Sequence, residues 1–174
     1  TKVELFSVEN LLQRMSFIMN NNNNNGSSVF ALQCDLRHWY HQIKLPRRFR
    51  KYFRINLGKG NPQFVYPACW PMGFHMSSAI AQAATWSILL ADLESPNENS
   101  IIERKRLGIE WEGEFDSLQW LPLAGGGAVF VQTDNIFIVT TNEAIKNNWR
   151  ERILKNSREL GATLKELHPE KEKA

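Results

Sequence analysis

Cysteine is scarce: Cys34 and Cys69 are the only two among 174 residues. A disulfide-stapled scaffold and a cysteine-rich zinc site are thereby excluded, and a reducing compartment is the expectation. No apolar run approaches the ~20 residues needed to cross a bilayer, and no signal-peptide pattern opens the chain. A membrane is therefore not among the expected partners. Acid is missing from a long stretch: between Leu36 and Ala91 there is no Asp or Glu. That window holds eight bases (Arg37, Lys44, Arg47, Arg48, Arg50, Lys51, Arg54 and Lys59) and ten of the nineteen aromatic residues. From Asp92 to Asp116 the sign reverses, with eight acids against Arg104, Lys105 and Arg106. The net charge of +3 hides this asymmetry. A basic, aromatic stretch suits phosphates and stacked bases; a solvated basic face over a core that uses the aromatics is the plainer alternative. At 43% apolar and 22% charged, the composition is that of one ordinary globular domain.

Ser7 can cap a helix whose apolar positions Val8, Leu11, Leu12, Met15, Ile18 and Met19 recur at helical spacing. Asn20 to Ser28 is a low-complexity tract expected to form a surface loop. Val29 to Cys34 reads as a buried strand ending at Asp35, and Leu36 to Ile43 as a helix that Pro46 interrupts. Lys51 to Leu57 and Gln63 to Tyr66 read as two strands joined by a turn over 58–62. After the Pro71-Met72-Gly73 turn, Ser77 or Ser78 is expected to cap an alanine-rich helix reaching about Leu93. Residues 94–127 read as an insertion of loops and short strands around Ile109, Trp111, Phe115, Leu118 and Trp120. Two apolar strands, Ala128 to Val131 and Ile136 to Val139, flank a Thr133-Asp134-Asn135 turn. Thr140 and Glu143 fit a capping box for a helix bearing Ile145, Trp149, Ile153 and Leu160 on one face, with Gly161 as its stop.

Two acids thus sit at the tips of buried strands. An unpaired carboxylate beside a strand core is costly unless something positive holds it. Two acids brought together by adjacent strands are a natural seat for Mg²⁺, which takes one or two carboxylates plus substrate phosphates. Asp is equally at home as an ordinary turn former, and spacing alone leaves both readings open.

The local sequence adds a resemblance. Asp35-Leu36-Arg37-His38-Trp39-Tyr40-His41-Gln42-Ile43 resembles the first catalytic motif of reverse transcriptases from gypsy-type retrotransposons, in which Asp-Leu-Arg and, two residues later, Tyr-His-Gln-Ile are fixed. Phe49-Arg50-Lys51-Tyr52-Phe53 is similar to the segment that follows in retroviral enzymes. Pro71-Met72-Gly73-Phe74, with Ser77, Ala79, Ile80 and Gln82, resembles the next motif, and Val131 to Ile136 stands in the place of the Tyr-x-Asp-Asp box. The motifs come in the family's order over roughly Phe6 to Leu167.

The resemblance implies template-directed DNA synthesis: a primer 3′-hydroxyl attacks the α-phosphate of a dNTP, with Mg²⁺ or Mn²⁺ as cofactor. Asp35 and Asp134 would be the catalytic, metal-binding carboxylates, with the Leu36 carbonyl and Asn135 as further metal ligands. The backbone at His38 and Trp39 would lie near the triphosphate, Tyr40 under the sugar, and Gln82 against the nucleotide. Lys44, Arg47, Arg48, Arg50, Lys51 and Arg54 would hold an RNA or DNA template–primer. Arg37 belongs to the motif or forms a structural ion pair. His38 and His41 read as one solvent-facing and one packed histidine rather than a metal pair, and Cys34 as a core residue rather than a nucleophile. Gly161 to Leu167 resembles the segment after the last palm helix, where Lys165 or His168 would protonate pyrophosphate.

The departures are specific. Gln132 stands where the family has Tyr, Asn135 replaces the second Asp, and Ser78 replaces a common Pro. The stretch between Gln82 and Asp134 is longer than usual. The fingertip hairpin, thumb and ribonuclease H segments have no counterpart within residues 1–174. The expected fold is α+β: a single palm domain with partial fingers, in which a small antiparallel sheet bears Asp35 and the Asp134 turn. Helices 78–93 and 142–160 would pack on one face, in a ferredoxin-like core. The expected setting is a retroelement polyprotein, in a cytoplasmic particle or the nucleus. Two rival expectations remain: an inactive remnant that binds nucleic acid, and a palm-fold interaction module.

Overall fold

The computed structural model describes residues 8–23, 28–58, 63–95, 97–112 and 120–165. The fold is α+β. In chain order it runs α1 (Val8–Asn23), β1 (Phe30–Asp35), α2 (Trp39–Gln42), α3 (Arg47–Arg50), a 3-10 turn (Lys51–Phe53), β2 (Ile55–Asn56) and β3 (Phe64–Val65). It continues through α4 (Ser77–Leu90), α5 (Glu98–Arg106), β4 (Trp120–Pro122), β5 (Ala128–Gln132), β6 (Asn135–Thr140) and α6 (Glu143–Glu159). Four strands form an antiparallel sheet in the order β1-β6-β5-β4; β2 and β3 make a separate two-stranded ribbon. An antiparallel bridge between Leu36 and Leu164 extends the larger sheet beyond β1.

Strand alternation sorts the sheet's side chains onto two faces. Cys34, Val129, Val131, Ile136 and Ile138 join one core with Leu89 and Leu93 at and beyond the end of α4 and with Ile145, Trp149 and Ile153 of α6. The expected packing of two helices on one face is therefore observed. The opposite face is covered too: Leu11 of α1 packs against Ala128 and Phe130, and the Arg14 guanidinium lies 4.8 Å from the Trp120 ring centroid.

Buried polar groups tie α4 to its neighbours. Asn156 donates to Ile88 O at 2.7 Å. The Arg152 side chain is buried, donating from Nε to Leu89 O at 2.6 Å and from its terminal nitrogens to Ala91 O and Glu103. Burial lowers the pKa of this guanidinium, and Glu103 opposes that shift. Carbonyls at the C-terminal end of α4 thus find cationic partners, as the helix dipole favours.

Several expectations change. Asn20 to Asn23 belong to α1 rather than to a loop, while 24–27 lie outside the described residues. The strand expected over Lys51 to Leu57 is a 3-10 turn followed by two extended residues, because Pro46 starts a helical turn that runs through Phe53. Within 94–127, residues 98–106 form a helix opened by an Asn97–Ser100 capping box; Phe115 and Leu118 lie outside the described residues. Ser77 does not cap α4, since its hydroxyl donates to Pro71 O at 2.7 Å. The α6 cap is Asn142, whose Oδ1 accepts from Ala144 N and Ile145 N, in place of the Thr140–Glu143 box. Leu160 is exposed, and the buried face of α6 continues instead through Asn156. Ser7 and the turn over 59–62 lie outside the described residues.

Candidate functional site

Asp35 is the last residue of β1 and Asp134 sits in the two-residue turn between β5 and β6. The register of β1 on β6 sets Asp35 opposite Asn135, and Leu36 N donates to Asp134 O at 2.9 Å. Backbone pairing, the least adjustable part of the fold, therefore makes Asp35 and Asp134 neighbours. Burial raises the Asp134 pKa, and the Asp35 charge raises it further, while Lys165 and the Asn135 amide oppose the shift. Asn135 Nδ2 donates to Asp134 Oδ1 at 3.1 Å. Asn135 thus serves as a donor to the acid before it.

The chain returns to this site after α6. Gly161 takes a φ of +71°, and Ala162 N and Gly161 N donate back to Ser157 O and Arg158 O, the signature of a Schellman stop. Beyond it, Arg37 N donates to Thr163 O and Lys165 N to Asp35 O. Gln42 clasps the same strand from the side, its amide exchanging hydrogen bonds with Thr163. Lys165 Nζ pairs with Asp35 Oδ2, while Asp35 Oδ1 is buried and has no hydrogen-bond partner among the described residues.

Among the described residues no group of three His, Cys, Asp or Glu side chains could hold a metal ion. Two carboxylates nonetheless suit a hard cation that keeps water and takes phosphate oxygens for its remaining positions. The unpartnered Asp35 Oδ1 is a donor of the right kind beside Asp134, and Lys165 is the cation that now answers the charge of Asp35. The residues present therefore fit Mg²⁺ or Mn²⁺ with two charged ligands rather than three.

The other motif residues are distributed around this pair. Leu36 is fully buried. His38 has a left-handed φ of +48° and opens α2. Trp39 is buried and donates from Nε1 to Ala81 O at 3.1 Å, which anchors α2 on α4. Tyr40 is half-buried, its hydroxyl 3.3 Å from Ser78 Oγ. His38 and His41 are both exposed, correcting the expectation that one is packed; their ring centroids are 6.3 Å apart. Arg37 is exposed and forms no ion pair among the described residues. Cys34 is buried in the core, and burial pushes its thiol up to about 12, so it is no nucleophile. His168 lies outside the described residues.

Gln82 is tied to the hairpin that carries Asp134. Expected against the nucleotide, it is 5% exposed; its Nε2 donates to Val131 O at 2.7 Å and its Oε1 accepts from Thr133 N at 2.5 Å. Both ends of the amide are engaged on the hairpin that carries Asp134. Thr85, which no motif singles out, lies one helical turn further and donates to Thr133 O. Its only sequence signal is its place three residues after Gln82 on one face of α4.

The bases cluster elsewhere. Lys44, Arg47, Arg48, Lys51 and Arg54 are exposed, and none of them pairs with an acid among the described residues. Arg50 differs: half-buried, it donates from Nε to Leu45 O at 3.1 Å and so supports its own loop. Arg48, Lys51 and Arg54 lie 4.8–5.0 Å from the ring centroids of Phe49, Tyr52 and Phe64. No helix among the described residues is long and apolar enough to cross a membrane. No protein-family model matches the chain. No curated protein matches it either.

Proposed function

We propose that the chain is the palm and part of the fingers of an RNA-directed DNA polymerase from a gypsy-type retroelement, a nucleotidyltransferase acting on dNTPs and a template–primer. The observation that carries the reading is the pairing of β1 with the β5–β6 hairpin, which sets Asp35 and Asp134 together with one carboxylate oxygen buried and unpartnered. The strand order supports it as well. The Leu164 bridge, β1, β6 and β5 lie side by side, with α4 and α6 as the two crossovers, which is the β-α-β-β-α-β order of a ferredoxin-like core.

Asp35, Asp134 and the Leu36 carbonyl would hold the divalent ions, with the Asn135 amide oxygen as a neutral fourth donor. Mg²⁺ bound there supplies Lewis-acid stabilisation of the attacking and leaving oxygens of an in-line phosphoryl transfer. The protein's own residues orient the parts. Tyr40, hydrogen-bonded to Ser78, would lie under the sugar, and Lys165, paired with Asp35, would protonate the leaving group. The exposed bases of 44–54 supply the phosphate contacts.

A second reading is favoured by Asn135. With two acids where the family has three, the fold would retain nucleic-acid affinity and lose catalysis. One experiment separates the two: Mg²⁺ and Mn²⁺ titration by calorimetry, then primer extension with a matched dNTP, in wild type, Asp35→Ala and Asp134→Ala. Metal binding lost in both variants and extension seen in wild type supports the enzyme. A folded wild type that binds a primer–template but no metal supports the remnant.

A further inference from the structure

We infer that Gln82 and Thr85 are positioning residues that hold the Asp134 turn in a backbone conformation it would not keep alone, and so set the metal affinity of the Asp35–Asp134 pair. The inference rests on the metal site proposed above, but the geometry behind it is separate. Among the described residues only three non-glycine positions have positive φ: His38, Asp92 and Thr133. His and Asp are enriched there, whereas a β-branched residue is a genuine outlier. Thr133, at +58°, is the residue directly before Asp134.

Such a conformation persists only where its surroundings over-determine it. Here they do. Thr133 N donates to Gln82 Oε1, Thr133 O accepts from Thr85 Oγ1, and Val131 O accepts from Gln82 Nε2. Both clamp side chains are buried in α4, so the hairpin takes its shape from the helix. On the far side, Leu36 N holds Asp134 O. Asp134 is thus fixed between α4 and β1, and its carboxylate is aimed before any ligand arrives. Gln82 in this role touches neither metal nor nucleotide; it acts through Thr133.

The test is Mn²⁺ calorimetry on the full chain without nucleotide, where a nucleotide-contact role for Gln82 would move nothing. Gln82→Met and Thr85→Val remove the clamp bonds while preserving volume, whereas Thr85→Ser keeps the hydroxyl. Supporting partners behind a metal ligand typically govern 10–100-fold in affinity, so both of the first variants are expected to bind Mn²⁺ at least about tenfold more weakly, with Thr85→Ser near wild type. The second readout needs no metal: the ¹³Cα and ¹³Cβ shifts of Thr133, which report its left-handed backbone, are expected to leave that range in Gln82→Met and Thr85→Val. Folded clamp variants with unchanged Thr133 shifts and unchanged Mn²⁺ affinity overturn the inference. A wild type that binds no Mn²⁺ overturns the metal site instead, and the Thr133 shifts still decide the clamp.

Discussion

The four-stranded sheet with α4 and α6 and the segment from Arg47 to Met76 draw on the same stock of aromatic residues and use it in opposite ways. In the first, Trp149 of α6 and Phe130 of β5 are essentially without solvent exposure, and their rings fill space between layers. In the outlying segment Tyr52 is 70% and Tyr66 52% exposed, and cations lie over the rings of Phe49, Tyr52 and Phe64. Phe53, Trp70 and Phe74 pack there as a small edge-on and stacked cluster, with the His75 ring against Phe74. Acids are absent from this segment and numerous beyond Asp92. One region spends its apolar surface on stability and fixes two carboxylates; the other leaves apolar and basic surface presented.

The comparison breaks most visibly through stability. Trp149→Ala is expected to cost about 3–5 kcal/mol, the range for emptying a buried aromatic site, whereas Tyr52→Ala stays within about 0.5 kcal/mol, as exposed positions do. Urea unfolding of the two variants decides it, and equal losses would mean the outlying segment shares the core.

A smaller effect sits at the paired acids. Because the folded Asp134 pKa is raised, the folded state holds the proton more tightly than the unfolded chain. Its contribution is full below the ordinary carboxylate value and is lost as pH rises through the raised folded value. Asp134→Asn is therefore expected to stabilise the metal-free protein at neutral pH and to flatten this part of the pH profile while weakening Mn²⁺ binding. Thermal unfolding from pH 3 upward checks the sign; a variant less stable than wild type at pH 7 would mean that the ionised carboxylate has a stabilising partner.

The smallest change in the molecule itself is expected at the exposed bases. Arg47→Ala, Arg48→Ala and Lys51→Ala leave stability within about 0.5 kcal/mol. Each base that neutralises a phosphate is expected, once removed, to lower the slope of log affinity against log salt by about 0.7–0.9, the single-strand and duplex values. Fluorescence anisotropy with a labelled primer–template measures it. An unchanged slope would return this stretch to the status of a solvated face.

What the sequence makes legible follows from what carries each element. β5, β6, α4 and α6 are read correctly because their apolar periodicity reports burial directly: Val129, Val131, Ile136 and Ile138 alternate inward, and Ile145, Trp149 and Ile153 recur at helical spacing. β1 is a strand as expected but not a buried one: only Cys34 is buried, while Val29, Ala31 and Gln33 are exposed. α5 escapes because it buries only Ser100 and exposes Ile101 and Ile102. It is held by a capping box and by hydrogen bonds of Glu103 and Arg104 that no periodicity encodes. The segment 47–53 misleads because its alternating aromatics look strand-like while Pro46 starts a helical turn. Of the candidate site, the two acids are legible from motif and strand ends. The direction of the Gln82 amide is not, since a local motif names a residue without saying which way its side chain turns.

Cys34 carries a consequence that concerns time. It lies one residue before Asp35, sealed under the sheet with its thiol pushed up to about 12, while Cys69 is half-exposed in the outlying segment. A thiolate reagent at mild pH meets Cys69 in the folded protein but reaches Cys34 only when β1 and β6 part, because both burial and protonation suppress its reaction. The molecule thus contains its own pair of clocks. One keeps the rate at which the surface is sampled, and the other keeps the rate at which the strands that align Asp35 and Asp134 come undone.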